Sequence, residues 1–112
     1  MPDAALASLA DVKVLYLTTI GRHSGQPRTI EIWFTYYQDK LYLNAERALN
    51  ANWVRNILQN PDVRVRIQEQ QFVGRARILD RQTDRALWDT VAELSRQKYG
   101  WGDGLPVEIV LL

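Results

Sequence analysis

The stretch Gly21-Arg22-His23-Ser24-Gly25-Gln26-Pro27-Arg28 collects in one short loop the groups that hold an anion. Arginine presents a planar fork of charged donors, and glycine tolerates φ > 0, so successive backbone N–H groups can turn into one concavity. Arg22 and Arg28 flank the loop and can close on a phosphate from two sides. The Ser24 hydroxyl and the N–H groups of His23, Ser24 and Gly25 are further donors. The same composition also describes a solvated hairpin loop, longer than the usual length of about two to five residues, whose arginines are surface charge. A second group, Tyr99 and Trp101, lies among Gly100, Gly102 and Gly104, where aromatic rings can cover a planar ligand or cap the core.

Other chemistries lack their residues. One histidine and no cysteine remove disulfides, thiolate catalysis and a His/Cys zinc site, so no metal site is expected. A Ser-His-Asp triad would rely on His23, which sits next to Ser24 in a turn, a spacing that does not let an imidazole serve a separate nucleophile. No catalytic side chain is assigned, and demanding chemistry would need a bound cofactor.

The elements that must position these groups are mostly strands. The loop joins two runs of β character, residues 12–20 and 29–37. In the second, Ile30, Ile32, Phe34 and Tyr36 alternate with Thr29, Glu31, Trp33 and Thr35, and a period of two assigns the two sets to opposite faces. Gln38-Asp39 makes a tight turn into a third strand over residues 40–45. The period changes over residues 50–60, where Trp53 with Ile57 and Val54 with Leu58 form a helical stripe, capped by Asn50 or Asn52 and stopped at Pro61. Val63, Val65 and Ile67 alternate with Arg64, Arg66 and Gln68 in a half-buried strand; Glu69-Gln70-Gln71 turns the chain, and residues 72–79 return beside it. A second helix over residues 83–98 buries Leu87, Val91 and Leu94 and ends at Gly100 and Gly102, and residues 106–112 form a last strand. Residues 3–10 offer a short helix ahead of the first strand. The order β-β-β-α-β-β-α-β, with hairpins and no βαβ series, predicts a mainly β chain with two helices (α+β) and an antiparallel barrel.

A chain of 112 residues has room for one domain, 1–112, with one core. Hydrophobic residues make up 46%, the level of an ordinary globular protein. The net charge of +1 weighs against general affinity for nucleic acid or an anionic membrane surface. No apolar run approaches the roughly 18 residues that span a bilayer, and the N-terminal residues lack a secretory pattern, so the expected location is cytoplasmic. Arg64, Arg66, Arg75 and Arg77, at alternate positions of adjacent strands, gather on one face. Near-neutral charge favours their contact with acidic groups of a second subunit over nucleic acid.

The string Thr18-Thr19-Ile20-Gly21-Arg22-His23-Ser24-Gly25-Gln26-Pro27-Arg28, followed by Trp53-x-x-Asn56-Ile57-x-x-Asn60-Pro61-x-Val63, resembles the deazaflavin-dependent nitroreductase family. That family is a branch of the flavin-binding split β-barrels that include pyridoxamine 5'-phosphate oxidase, and the resemblance runs from about Leu17 to the C-terminus. It implies a split barrel, a homodimer, and a cofactor of the 8-hydroxy-5-deazaflavin (coenzyme F-420) type, with FMN as the alternative. It also implies that the cofactor phosphate lies at Arg22, His23, Ser24, Gly25 and Arg28. The ring's pyrimidine edge would then meet the backbone around Ile30 and Ala45, beside the basic Arg47. His23 stands where the family commonly has lysine, and Glu46-Arg47 where it has Ser-Lys. The implied activity is hydride transfer between the cofactor and a planar acceptor, a quinone or nitroaromatic, near Tyr99 and Trp101. The alternative is a non-catalytic carrier of a flavin, deazaflavin or haem-type group.

Overall fold

The alternation read above builds seven strands in the computed structural model, which describes residues 4–112. They are β1 (Val14–Ile20), β2 (Pro27–Trp33), β3 (Thr35–Tyr37), β4 (Lys40–Ala45), β5 (Asp62–Ile67), β6 (Gln70–Ile78) and β7 (Leu105–Leu111). Three α-helices accompany them, α1 (Ala4–Ala7), α2 (Asn52–Gln59) and α3 (Arg85–Tyr99), with a short 3-10 helix at Ala48–Asn50. Asp3, the first residue of the expected N-terminal helix, lies outside the described residues. All strand pairs are antiparallel in one sheet of order β2-β1-β5-β6-β7-β4-β3. The expected α+β class and antiparallel barrel are therefore present.

The strand expected over residues 29–37 is two strands. β2 pairs with β1 at one edge of the sheet and β3 pairs with β4 at the other, yet only Phe34 separates them in sequence. The sheet has to curl until its two edges meet at that residue. Its concave face is filled by Leu15, Leu17, Leu41, Leu43, Val65, Ile67, Val107 and Ile109, all buried. Each such side chain stabilises the fold by about 1.5–3 kcal/mol relative to its exposed state.

Leaving both ladders at once deprives Phe34 of strand partners for its N–H and C=O, and burial makes an unpaired backbone group costly. The end of α3 supplies the partners. The Tyr99 hydroxyl oxygen accepts from the Phe34 N–H at 3.0 Å and lies 2.7 Å from the carbonyl oxygens of both Phe34 and Lys13, either of which takes its proton. Lys98 Nζ donates to the carbonyls of Phe34 (2.9 Å), Val12 (2.7 Å) and Ala10 (2.9 Å), and it lies 4.0 Å from the Phe34 ring centroid.

Four local expectations shift. The N-cap of α2 is Ala51, without a side-chain hydrogen bond, rather than Asn50 or Asn52. The β5–β6 turn is Gln68-Glu69, because Ile67 pairs directly with Gln70. On α2 the buried residues are Val54, Asn56 and Ile57, while Leu58 is exposed. On α3, Val91, Ala92 and Ser95 are buried, whereas Leu87 and Leu94 are only partly so. Both helices turn a small or polar residue to the sheet where a wider apolar stripe was expected. No helix among the described residues is long and apolar enough to cross a membrane.

Burial, and then the neighbouring Lys13 charge, push Lys98 down to about 8, with Asp11 opposing. A lysine value depressed in the folded state means that the unfolded chain binds more protons above about pH 8. The burden of a buried charge is thus fully present below pH 8 and is relieved as pH rises towards the ordinary lysine value of about 10.4. Urea unfolding of wild type and Lys98→Met is expected to show the wild type gaining stability relative to the variant between pH 8 and pH 10.

Candidate functional site

The β1–β2 loop is held by its own backbone. The Gly21 N–H donates to Gln26 O and the Gly25 N–H to Gly21 O, both at 2.8 Å. Gly25 takes φ +72°, a left-handed conformation that other residues adopt only with strain. Ser24 Oγ accepts from the Gln26 N–H at 3.1 Å and lies 3.4 Å from Arg28 Nη2. Of the three N–H groups expected to face an anion, that of Gly25 is used inside the loop. Those of His23 and Ser24 have no partner among the described residues.

The two arginines have different roles. Arg28 is exposed and lines the cleft beside the loop. Arg22 is tied to α2: its Nη1 donates to Asn56 Oδ1 at 2.9 Å, its Nη2 to Asn52 Oδ1 at 3.3 Å, and its backbone N–H to Asn56 Oδ1 at 3.1 Å. Asn56, only 4% exposed, completes the junction by donating from Nδ2 to Thr19 Oγ1 at 3.1 Å. One carboxamide thus links β1, the loop and α2. In sequence Asn56 is one position of the Trp53-to-Val63 motif, and only its contacts in the fold show its task.

Two compartments share a wall. The first, of about 640 Å³, is lined by the loop residues Arg22, His23, Ser24 and Arg28 together with Ile30, Asn52, Trp53 and Asn56. The second, of about 710 Å³, lies between β2 (Ile30 to Trp33), the end of β4 (Asn44, Ala45), Glu46, Arg47 and the start of α2, with Trp101 beside it. Ile30, Asn52 and Trp53 line both. Each volume suits a small-molecule site, for which the usual range is about 300–1,000 Å³. The first compartment carries basic residues and no acid; the second carries Glu31, Glu46 and Arg47. Arg55 braces the outer wall by donating to Leu49 O at 2.9 Å and Asn50 Oδ1 at 3.2 Å.

The structure brings Arg22, His23, Ser24, Arg28, Ile30, Ala45, Arg47 and Trp101 onto these two adjoining compartments, and Gly25 shapes the loop without lining it. Tyr99 does not line either compartment. Its ring stacks behind Trp33 at 4.4 Å between centroids and 3° between planes, and its hydroxyl serves Phe34. The glycine-rich segment around Trp101 is packed rather than hinged. Ser95 Oγ donates to Trp101 O at 2.6 Å, and a Cβ on Gly104 would meet Trp101 Cη2 and Ala45 O at 2.8 Å. Trp33, 48% exposed, was missed as a site residue, although the alternation had already put this large aromatic on the face of Thr29 and Glu31. Among the described residues no cluster of three or more His, Asp or Glu side chains could hold a metal ion. The arrangement suits a ligand with an anion at one end and a flat, polar-edged ring at the other. Asn56→Ala would leave the Arg22 N–H and Thr19 hydroxyl without their partner, and urea denaturation is expected to show a loss of about 1–3 kcal/mol.

The family model of F420H2-dependent quinone reductases matches residues 5–111. Among solved structures, an F420-H2 dependent reductase superposes with a TM-score of 0.66 at 22% identity, covering 87% of this chain and 92% of the other. The heme storage protein HutZ of Vibrio cholerae gives 0.77 at 17% identity over 99% and 90% of the two chains. A candidate pyridoxamine 5'-phosphate oxidase of Listeria innocua gives 0.76 at 18% identity over 98% and 92%. At these identities the superpositions establish the fold. No curated protein matches the sequence.

Proposed function

The chain belongs to the F420H2-dependent quinone reductase family, and on that premise we propose that it binds a deazaflavin nucleotide across the two compartments and reduces a planar, quinone-type acceptor. The observation that carries this reading is that a basic, donor-lined compartment adjoins a second one, the two sharing Ile30, Asn52 and Trp53 as wall. The donor set fits the cofactor: Arg28, Ser24 Oγ and the free N–H groups of His23 and Ser24 hold the phosphate, while Arg22 keeps the loop in place. The β2 and β4 backbones at Ile30 and Ala45 border the ring, with Arg47 at its polar edge. When bound, the deazaflavin supplies two-electron hydride chemistry. The protein's part is to orient and to exclude water. Tyr99 covers one face of Trp33, and the other is open to a flat acceptor, with Trp101 as a fixed side wall.

FMN is the alternative cofactor, since the same donors suit its phosphate. A carrier that binds its ring without turnover is the alternative role, kept in view by the fold shared with a heme storage protein. Anaerobic mixing of the protein with reduced deazaflavin and menadione separates the readings: turnover supports the reductase, and binding without turnover supports the carrier. Arg28→Ala is expected to raise the deazaflavin Kd by roughly 10- to 100-fold, the scale of a hydrogen bond to a charged group. Trp33→Ala is expected to raise the acceptor KM and leave that Kd unchanged, at a loss of about 0.5–1.5 kcal/mol.

The same proposal includes a cytoplasmic homodimer. Arg75 pairs with Asp62 at 3.1 Å, and Arg77 with Asp84 at 2.8 Å and Glu108 at 3.3 Å, so these two are occupied within the chain. Arg66 lies over the Tyr16 ring at 4.2 Å and donates from Nη1 to Gln68 O at 2.7 Å, and Arg64 has no partner among the described residues; both stand on the outer face with exposed Val73 and Val110. A second copy can cover such a mixed apolar and basic face. Sedimentation equilibrium at micromolar concentration is expected to give twice the 13.0 kDa chain mass.

A further inference from the structure

Between the sheet and α3 lies a small, partly open void of about 20 Å³, lined by Trp33, Thr35, Tyr42, Asn44, Ser95 and Trp101 among others. Two buried polar atoms in its wall, Thr35 Oγ1 and Asn44 Oδ1, have no hydrogen-bond partner among the described residues. Thr35 as a whole is 4% exposed. Their lining neighbours are already engaged, Tyr42 donating to Glu108 at 2.9 Å and Ser95 to the Trp101 carbonyl at 2.6 Å. A buried hydroxyl or carboxamide left unpaired costs about 1–3 kcal/mol, so two in one wall call for a partner. A void needs about 10–15 Å³ and at least two polar contacts to hold a water molecule. This one has the volume, and Thr35 and Asn44 in its wall each carry an unpaired buried oxygen. Exchanging oxygen and nitrogen in the Asn44 carboxamide would bury an equally unpaired donor, so no choice of orientation removes the need.

Asn44 also forms part of the second compartment, as do Trp33 and Trp101, so these three residues are the partition between void and cleft. Its Oδ1 is buried without a partner, whereas Nδ2, which has no partner among the described residues either, is not among the buried polar atoms. We infer that one water molecule, bound between Thr35 Oγ1 and Asn44 Oδ1, fixes the Asn44 carboxamide so that Nδ2 presents an N–H to a carbonyl oxygen of a planar ring in the cleft. Thr35 is then a positioning residue acting through the water, and Asn44 is a specificity-determining donor. The inference rests on the functional reading above and deepens it by naming the chemistry recognised, a ring carbonyl. Both the deazaflavin's pyrimidine edge and a quinone acceptor carry that group.

The test uses Thr35→Val, Thr35→Ser and Asn44→Ala in the full chain. A high-resolution crystal structure of the unliganded wild type is expected to show ordered density for one water in the void. Thr35→Val should lower the urea midpoint and Thr35→Ser restore it. If no water were bound, exchanging an orphaned hydroxyl for a methyl would raise the midpoint, and that result would overturn the water site. Asn44→Ala and Thr35→Val are expected to raise one ligand parameter by roughly three- to tenfold at unchanged kcat, the scale of a neutral hydrogen bond. A rise in the deazaflavin Kd assigns the carbonyl to the cofactor; a rise in menadione KM alone assigns it to the acceptor. Folded variants with both parameters unchanged refute the donor role. Failure of the functional reading shows separately, as absence of deazaflavin binding by the wild type, and the density in the void then decides the inference alone.

Discussion

The structure depends on closing a sheet whose two edges are consecutive in sequence. β2 and β3 belong to opposite edges, and one residue, Phe34, carries the chain from one to the other. A backbone that leaves two ladders at the same point needs donors and acceptors from elsewhere, and Lys98 and Tyr99 bring them from the last turn of α3. The same two side chains reach the carbonyls of Ala10, Val12 and Lys13, so the approach to β1 is tied to the same knot. Burying an ammonium there is costly, and three carbonyl acceptors together with the Phe34 ring offset it.

The cleft is a consequence of that closure. Because the edges meet at Phe34, β2 and the end of β4 face one another across a gap, and the gap is the second compartment. Trp33, the residue just before the crossing, is left with one face on Tyr99 and the other open. The closure that stabilises the barrel therefore also sets the aromatic wall. The phosphate end is built by a separate device, the buried Asn56 carboxamide. It has one acceptor oxygen for Arg22 and one amide for Thr19, so the loop, β1 and α2 are held in one relation. Arg28, free of such ties, keeps its charge available to a ligand.

The electrostatics divide the cleft in the same way. Basic groups line the loop end, and acidic groups enter only at the ring end, where Glu31 is held by the Tyr16 hydroxyl at 3.1 Å and Glu46 stands beside Arg47. A phosphate is attracted to one end and repelled by the other, which orients a ligand that carries one anionic terminus. On the outer side of the sheet, the Arg77–Glu108–Tyr42 chain under α3 keeps a carboxylate paired at 6% exposure. Arg77 also holds Asp84 just ahead of α3, so the helix start is anchored to the strands that the helix covers.

Sequence alone determined the strands, the helices, the antiparallel class and the loop with its two arginines, because side-chain alternation and turn chemistry are local properties. It also carried the family, since the loop string and the Trp53-to-Val63 pattern are written in consecutive residues. Tertiary structure decided what depends on two distant segments. The break at Phe34 has no local signal: residues 29–37 alternate without interruption, and only the curl of the whole sheet makes a single residue change partners. Tyr99 and Lys98 read as a helix end beside glycines, but their acceptors lie more than sixty residues away, so their role in closure was not legible. Arg22 and Arg28 looked equivalent in the loop; Asn56, thirty-four residues on, makes one a strut and leaves the other to bind. Thr35 and Asn44 are ordinary strand residues in sequence. They acquire meaning only where the packing of α3 on β3 and β4 leaves a space of about 20 Å³ with both residues in its wall.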